Sequence, residues 1–191
     1  MSREFFAKDD AICLYRVSDE DKENYTKLIE QGIESTMEYK ISKMTDVFWD
    51  LIVHGNDDVF VIFNAEGVFC GKVVLYNPKS EYPEIGVGLL KEHRNKGIAK
   101  RAVRILMCET RKQYYIVKIA ADNMHSQHVF DKMGAIREER EDSSDSESVE
   151  ELKELLEDTD DEGMKMYLIK LIHEHEKRNN KVYRYRLYPG K

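Results

Sequence analysis

The stretch at residues 84–99 constrains the fold of this chain more than any other. It has the sequence Glu-Ile-Gly-Val-Gly-Leu-Leu-Lys-Glu-His-Arg-Asn-Lys-Gly-Ile-Ala, an apolar run followed by a basic turn. The run predicts a strand, and Gly97 marks the start of a helix. The first amides of a helix lack partners within the helix and attract anions, and Gly97 and Ala99 leave room for a phosphate. The sequence therefore predicts a diphosphate-bearing ligand at this helix start.

The spacing of the turn excludes two common phosphate loops. The chain has no Gly-x-x-x-x-Gly-Lys-Ser/Thr and no Gly-x-Gly-x-x-Gly, since Gly86 and Gly88 give only Gly-x-Gly inside the strand. The pattern Arg94-x-x-Gly97-x-Ala99 instead resembles the coenzyme A pyrophosphate loop of the GNAT superfamily of N-acetyltransferases. In that superfamily the loop also follows a strand directly.

A second segment supports the resemblance. Residues 115–121 predict a strand, and Asn123 and Ser126 follow it in a helix that ends in Lys-Met-Gly-Ala at 132–135. This order is similar to the Asn-x-x-Ser step and the Lys-x-Gly-Phe ending of the superfamily. Together with the Glu-Ile-Gly opening of the first strand, it most resembles the branch of the ribosomal-protein alanine and spermidine acetyltransferases. The specific resemblance covers residues 84–137.

The predicted elements describe one mixed α+β domain. Apolar periodicity predicts the order β, α, α, β, β, β, α, β, α, with a strand over 12–17, a helix over 45–54 and a hairpin over 59–76. The three consecutive strands favour antiparallel pairing, and the later strand–helix–strand unit favours parallel pairing. The resemblance implies the three-layer acyl-CoA N-acyltransferase fold, in which helices flank a mixed, mostly antiparallel central sheet. We expect a single acetyltransferase domain over residues 1–191.

An acidic segment interrupts the C-terminal part of the chain. Residues 138–162 hold fourteen acidic and two basic residues, so this segment carries −12 and the rest of the chain +5. Capping boxes that begin at Ser148 and Thr159 predict two inserted helices, over about 143–179, before a last strand at 182–188. Such a field attracts cations, which predicts a cationic amine substrate. A flexible, solvated tether without a role is the alternative.

The resemblance implies acetyl-CoA as the co-substrate, bound along the strand and turn. Backbone amides of the turn would contact the pyrophosphate, and the strand would pair with the amide-rich pantetheine arm. A solvated basic helix start and a strand bulge are the structural alternatives. Asn123 is similar to an asparagine that hydrogen-bonds the cofactor, and an Asn there is also a common helix N-cap. The expected cofactor-binding residues are Val87, Gly88, Leu89, Arg94, Asn95, Lys96, Gly97, Ile98, Ala99, Lys100 and Asn123.

The implied reaction is direct attack of a primary amine on acetyl-CoA. Alkyl ammonium groups have a pKa of about 10, so the amine must first lose a proton, which a carboxylate can accept directly or through water. Glu84 is the predicted general base, and a solvent-facing structural glutamate is the alternative. Ser126 is predicted to lie near the thioester sulfur and to steady or protonate the leaving thiolate. Its alternative is a first-turn serine that bonds the backbone.

Two positions depart from the pattern of many relatives. Phe130 stands seven residues after Asn123, where many relatives carry a tyrosine that protonates the thiolate. Lys118 stands five residues before Asn123, where some relatives carry a glutamate base. Neither role is carried over to this chain. The alternative to an enzyme is therefore a catalytically weak acyl-CoA-binding module that acts through its acidic insertion as a protein-interaction surface.

Composition limits the remaining partners and the location. The net charge of −7 disfavours nucleic acid as a partner, and without an apolar run of 18 residues or a signal peptide we expect no membrane association. Cys13, Cys70 and Cys108 are predicted to be reduced, buried thiols of a cytoplasmic protein. His125 and His128 share a helix face but lack further ligands, so no metal site is predicted. The apolar face of the inserted helices and last strands is compatible with a homodimer.

Overall fold

The computed structural model of this chain describes residues 3–32, 46–142, 145–160, 163–166, 168–169, 172 and 182–190. Within these residues, eight strands and five α-helices have defined bounds. The strands are β1 (Phe5–Lys8), β2 (Ile12–Arg16), β3 (Asp58–Asn64), β4 (Phe69–Tyr76), β5 (Glu84–Leu89), β6 (Tyr115–Ala120), β7 (Ile136–Asp142) and β8 (Val182–Leu187). The helices are α1 (Lys22–Gly32), α2 (Asp46–His54), α3 (Ile98–Thr110), α4 (Met124–Asp131) and α5 (Asp145–Asp158).

The strands form one open sheet in the order β1-β2-β3-β4-β5-β6-β8-β7. Strands β1 to β4 each pair with the next strand along the chain, and all these pairs are antiparallel. Only β5 and β6 are parallel, because α3 carries the chain back to the end of the sheet where β5 began. The antiparallel pairs β6–β8 and β8–β7 complete the sheet.

Helices cover both faces of the sheet and give three layers. Helices α3 and α4 pack on one face, where Leu106 and Phe130 are buried in the larger core. Helices α1 and α2 pack on the opposite face, where Leu28 and Trp49 are buried in a second core. We call this second surface of the sheet the α1/α2 face.

Strand β5 divides its side chains between the two faces, since successive residues of a strand point to opposite sides. Its apolar residues Ile85, Val87 and Leu89 pack against the core under α3 and α4. The α1/α2 face receives the other three residues of the strand, which are Glu84, Gly86 and Gly88.

Strands β5 and β6 separate immediately after their first contact. Glu84 is paired with Ile116, and the Ile116 N–H donates to the Pro83 carbonyl oxygen at 3.0 Å. The structure describes both strands completely and contains no further residue pair between them. Residues 86–89 of β5 therefore present one backbone edge to an opening in the sheet.

The mixed, mostly antiparallel sheet with flanking helices confirms the predicted fold class. Strand β1 is an addition to the predicted order, because a strand of four residues with a single buried side chain has too short a pattern to recognise. The acidic segment begins inside β7 and continues through α5. The second predicted insertion helix is described only at 163–166, 168–169 and 172, which are helical, and its remainder lies outside the described residues. Of the cysteines predicted to be buried, only Cys70 is, and Cys108 is exposed.

Candidate active site

The basic turn, residues 91–97, connects β5 to α3 through two residues with left-handed backbone. Asn95 has φ +62° and Gly97 has φ +78°. Gly97 is the N-cap of α3, and its carbonyl oxygen accepts the Arg101 N–H at 3.2 Å. The amides of the first helical turn therefore point out of the helix end without intrahelical partners. A Cβ added at Gly97 would meet nothing within 4 Å, so the approach to these amides is open.

Packing of α3 fixes the position of this turn. Ile98, the first helical residue, is 8% exposed and belongs to the core with Ala102 and Leu106. The Arg94 side chain folds back, and its Nε donates to the Leu89 carbonyl oxygen at 3.0 Å. The strand end, the turn and the helix start are thus held together before any ligand binds.

A cleft of about 520 Å³ lies where β5 and β6 separate. One wall comes from β5, the floor comes from the basic turn and the start of α3, and the other wall comes from α4. The structure brings eight of the thirteen predicted site residues into this cleft, and His125, Val129 and Phe130 complete the lining. The eight are Val87, Gly88, Leu89, Arg94, Asn95, Ala99, Asn123 and Ser126.

Five predicted residues do not line the cleft. Lys96 and Gly97 are exposed in the turn, Ile98 is buried below it, and Lys100 is half-buried in the first turn of α3. These four can contribute through backbone amides or through charge near the cleft. Glu84 stands at the opposite end of β5, where the strands separate.

Asn123 is the N-cap of α4, as its alternative role predicted. Its side-chain oxygen accepts the Ser126 N–H at 3.1 Å. The cap uses one lone pair of this oxygen, so its second lone pair and the amide nitrogen are the groups that could contact a ligand in the cleft. The cap and the cleft position coexist, so the two roles proposed for Asn123 are compatible.

Glu84 and Lys118 form an ion pair across the point of separation. The Lys118 Nζ lies 3.4 Å from the Glu84 Oε2, and the two side chains are 35% and 28% exposed. Lys118 occupies the position where some relatives carry a carboxylate, so here the carboxylate is on β5 and its cation on β6. The predicted base is therefore a partly buried group that a second molecule can still reach.

One tyrosine and one lysine of the neighbouring strand β4 complete the α1/α2 face beside β5. The Tyr76 ring lies over Gly86, where an added Cβ would be 2.8 Å from Cε2 and 3.3 Å from the hydroxyl oxygen. Burial and the charges of Glu84 and Asp57 raise the pKa of Tyr76 to about 12, so its hydroxyl remains protonated. Sequence analysis missed Tyr76, since only the β4–β5 register places it next to Glu84.

Lys72 is the second residue that the sequence did not indicate. It lies on β4 directly opposite Gly88, and its Nζ donates to the Tyr25 hydroxyl oxygen on α1 at 2.6 Å. Burial lowers the pKa of Lys72 to about 8. A lysine amine that loses its proton more easily than usual thus lies next to β5, the strand that lines the cleft.

Neither a metal site nor a membrane span is evident in the residues that the structure covers. They contain no group of three His, Cys, Asp or Glu side chains that could hold a metal ion. Their helices include none long and apolar enough to cross a bilayer.

Comparison with known proteins relates this chain to one protein family. The family model of the acetyltransferase (GNAT) domain matches residues 3–136. No curated protein matches the chain with significant sequence similarity.

Solved structures share the fold at low sequence identity. RimL, a ribosomal alpha-N-protein acetyltransferase in complex with coenzyme A, is 13% identical with a TM-score of 0.66, over 97% of this chain and 98% of that one. A variant of SpeG, the spermidine N-acetyltransferase from Vibrio cholerae, is 15% identical with a TM-score of 0.63, over 94% and 95%. The Vibrio cholerae enzyme in complex with CoA and spermine is 17% identical with a TM-score of 0.54, over 68% and 83%.

Proposed function

This chain belongs to the acetyltransferase (GNAT) family and is an acetyl-CoA-dependent N-acetyltransferase, and we propose that the cleft between β5 and β6 holds acetyl-CoA while a cationic primary amine enters from the α1/α2 face. The observation that carries this proposal is the separation of β5 from β6 directly above the open amides of α3. An amide-rich arm fits the backbone edge of β5, and a diphosphate fits the helix end with its positive partial charge.

The residues present fit the co-substrate. Gly88 and Ala99 leave the wall and floor of the cleft without bulk, and Asn95 and Gly97 give the turn a left-handed backbone, which is common in anion-binding turns. Lys96 and Lys100 add positive charge without blocking the cleft. Asn123 offers an amide nitrogen on the opposite wall.

Bound acetyl-CoA supplies the thioester that an amine attacks. Glu84 accepts the proton of the acceptor ammonium, and the ion pair with Lys118 holds the carboxylate in place before the acceptor arrives. The protonated Tyr76 hydroxyl, beside Gly86, orients the acceptor on the α1/α2 face. Ser126 lines the cleft, and its hydroxyl donates a hydrogen bond to the departing sulfur. Phe130, which also lines the cleft, has no proton to donate.

Calorimetric titration with acetyl-CoA and with desacetyl coenzyme A, followed by an amine screen, tests the proposal. Binding with turnover of at least one primary amine supports it, and Glu84→Gln should then lower kcat more than it changes KM. The absence of binding at millimolar acetyl-CoA would contradict the assignment of the cleft. Binding without turnover of any amine would instead favour the acyl-CoA-binding module, which family membership and the intact cleft do not favour.

The acidic insertion supports a cationic acceptor. On α5, the described side chains of Glu154 and Glu157 are exposed, while Leu152 and Leu156 are partly buried, so the charges face solvent. Replacing Glu150, Glu151 and Glu154 by Gln should raise KM for polyamines several-fold and leave KM for a neutral aromatic amine unchanged. An unchanged KM for every cationic amine would leave the insertion as a solvated tether.

Three further assignments belong to this proposal. Residues 1–191 act as one cytoplasmic domain, which limited proteolysis and cell fractionation test. The acceptor is an amine rather than nucleic acid or lipid. A homodimer uses the inserted helices, where Leu155, Met166 and Ile169 are 45%, 50% and 53% exposed. Analytical ultracentrifugation tests this, and a monomer at all concentrations would contradict it.

A further inference from the structure

Lys72 carries a primary amine on the strand next to the cleft of an enzyme that acetylates primary amines. Its side chain is partly buried on the α1/α2 face, and the partner of its Nζ is a hydroxyl group, that of Tyr25, at 2.6 Å. A lysine surrounded in this way is more easily deprotonated than one in water, since burial disfavours its charged form. At neutral pH the neutral amine is therefore a larger fraction of Lys72 than of an exposed lysine.

The register of β4 and β5 places this amine beside the cleft. Lys72 is paired with Gly88, and Gly88 lines the cleft. A Cβ at Gly88 would lie 3.9 Å from both Cγ and Cε of Lys72 and 3.9 Å from Cδ2 of Leu28. The missing side chain at Gly88 thus leaves the lysine stem alongside the cofactor strand with nothing but backbone between them.

The reach of the side chain matches this geometry. Neighbouring strands lie about 4.8 Å apart, and lysine carries its amine on a flexible stem of four carbons. Rotation of the stem about its outer bonds would carry Nζ from Tyr25 toward Gly88 and the opening between β5 and β6. The hydrogen bond to Tyr25 holds the amine on the α1 side in the structure described here.

We propose that Lys72 is an internal acetyl acceptor that competes with the external amine for acetyl-CoA bound in the cleft. The inference rests on the proposed function, because acetyl-CoA in this cleft is the donor. The neutral Lys72 nitrogen attacks the thioester carbonyl carbon, a C–N bond forms, and the C–S bond breaks. The coenzyme A thiolate leaves with the electron pair, and the nitrogen loses its extra proton, through solvent, to that thiolate.

Other lysines near the site are placed differently. The amine of Lys118 is tied to Glu84 in an ion pair. Lys96 is exposed in the basic turn, at the end of the cleft that fits phosphate rather than the thioester. Lys72 is therefore the lysine that this geometry selects.

Incubation of the full chain with trideuterated acetyl-CoA, without an added amine, tests the proposal. We expect intact mass to show one label per chain, peptide mapping to place it on Lys72, and a first-order rate that is independent of protein concentration. Lys72→Arg should lose this label, while Lys79→Arg, which changes an exposed lysine in the turn after the same strand, should keep it. Labels spread over exposed lysines at similar rates would overturn the proposal.

A parallel amine assay separates this inference from the proposed function. If acetyl-CoA binds and external amines are acetylated while Lys72 stays unlabelled, only the internal acceptor is overturned. If acetyl-CoA does not bind at millimolar concentration, both proposals fail. A readout without acetyl-CoA completes the test: after reductive ¹³C-methylation, the Lys72 resonance should titrate well below those of exposed lysines, and titration together with them would also overturn the proposal.

Discussion

A charge placed at Gly97 provides the sharpest test of the anion site. Gly97 has φ +78° and no atom within 4 Å of an added Cβ, so Gly97→Glu introduces no clash. A left-handed backbone costs an L-residue about 1–2 kcal/mol, part of which the reduced entropy of the unfolded chain offsets. We expect a loss of about 1 kcal/mol in unfolding free energy and a fall of roughly 2–4 °C in Tm.

The effect on binding is separate from this backbone cost. A carboxylate about 5 Å from a phosphate, at an effective dielectric constant of about 40 to 80, is repelled by about 1–2 kcal/mol. This corresponds to a roughly five- to thirty-fold higher Kd for coenzyme A. Gly97→Gln has the same shape and backbone penalty without the charge, so its Kd should stay near that of the Gly97→Ala variant.

Calorimetric titration of coenzyme A at two salt concentrations measures the effect. The difference between Gly97→Glu and Gly97→Gln should shrink at high salt, since exposed charges are screened. Gly67→Glu is the matched control, because Gly67 has φ +75°, an equally open Cβ direction and a position in the β3–β4 turn. Equal Kd values for the Glu and Gln variants at position 97, or an equal loss in Gly67→Glu, would refute the electrostatic reasoning.

Three further predictions concern the surroundings of the cleft. Gly86→Ala should lower Tm by several degrees, because its Cβ would lie 2.8 Å from the Tyr76 ring. Gly88→Ala should change Tm little, because its Cβ would make only ordinary contacts at 3.9 Å. Thermal unfolding of both variants tests this difference. Burial lowers the pKa of Lys72 from 10.5 to about 8, so the unfolded chain binds more protons between these pH values and this lysine destabilises the fold most below pH 8. Lys72→Met should therefore be more stable than wild type at pH 7, with a gap that closes as pH rises from 8 to 10.5; a constant gap in chemical unfolding experiments would contradict this. Arg101→Met should leave the Kd for coenzyme A within two-fold, since Arg101 already binds two carboxylates, whereas Lys100→Met should weaken binding several-fold; calorimetry compares them.

Local patterns were enough to predict most of the residues that line the cleft. The Arg94-x-x-Gly97-x-Ala99 spacing lies within one strand–turn–helix unit, whose shape depends on backbone preferences a few residues apart. Asn123 and Ser126 belong to a second such unit. Because α3 connects β5 to β6, the two units follow each other in the chain. Predicting both units therefore also predicted the two walls of the cleft.

The α1/α2 face could not be predicted in the same way, because it depends on pairing between distant residues. Tyr76 and Lys72 reach β5 only through the β4–β5 register, and a shift of one residue would turn both away. Arg101 lies one turn into α3, close to the basic turn, but its guanidinium is held by Asp9 and Asp10, 92 and 91 residues away in the chain. A pattern of a few neighbouring residues cannot predict contacts between residues so far apart in the sequence.

The separation of β5 from β6 also divides the sheet into two groups of strands. Strands β1 to β5 pair in chain order, whereas β6, β8 and β7 are joined by a connection through α5, and one residue pair links the groups within the sheet. Pairing in chain order closes short loops, so the first group is suited to form early in folding, and the second must wait for its last strand. A ligand that contacts both β5 and α4 ties the two groups together and should merge two steps of native-state hydrogen exchange into one. The opening between β5 and β6 is thus also the boundary at which we expect the free protein to unfold first in native-state hydrogen exchange.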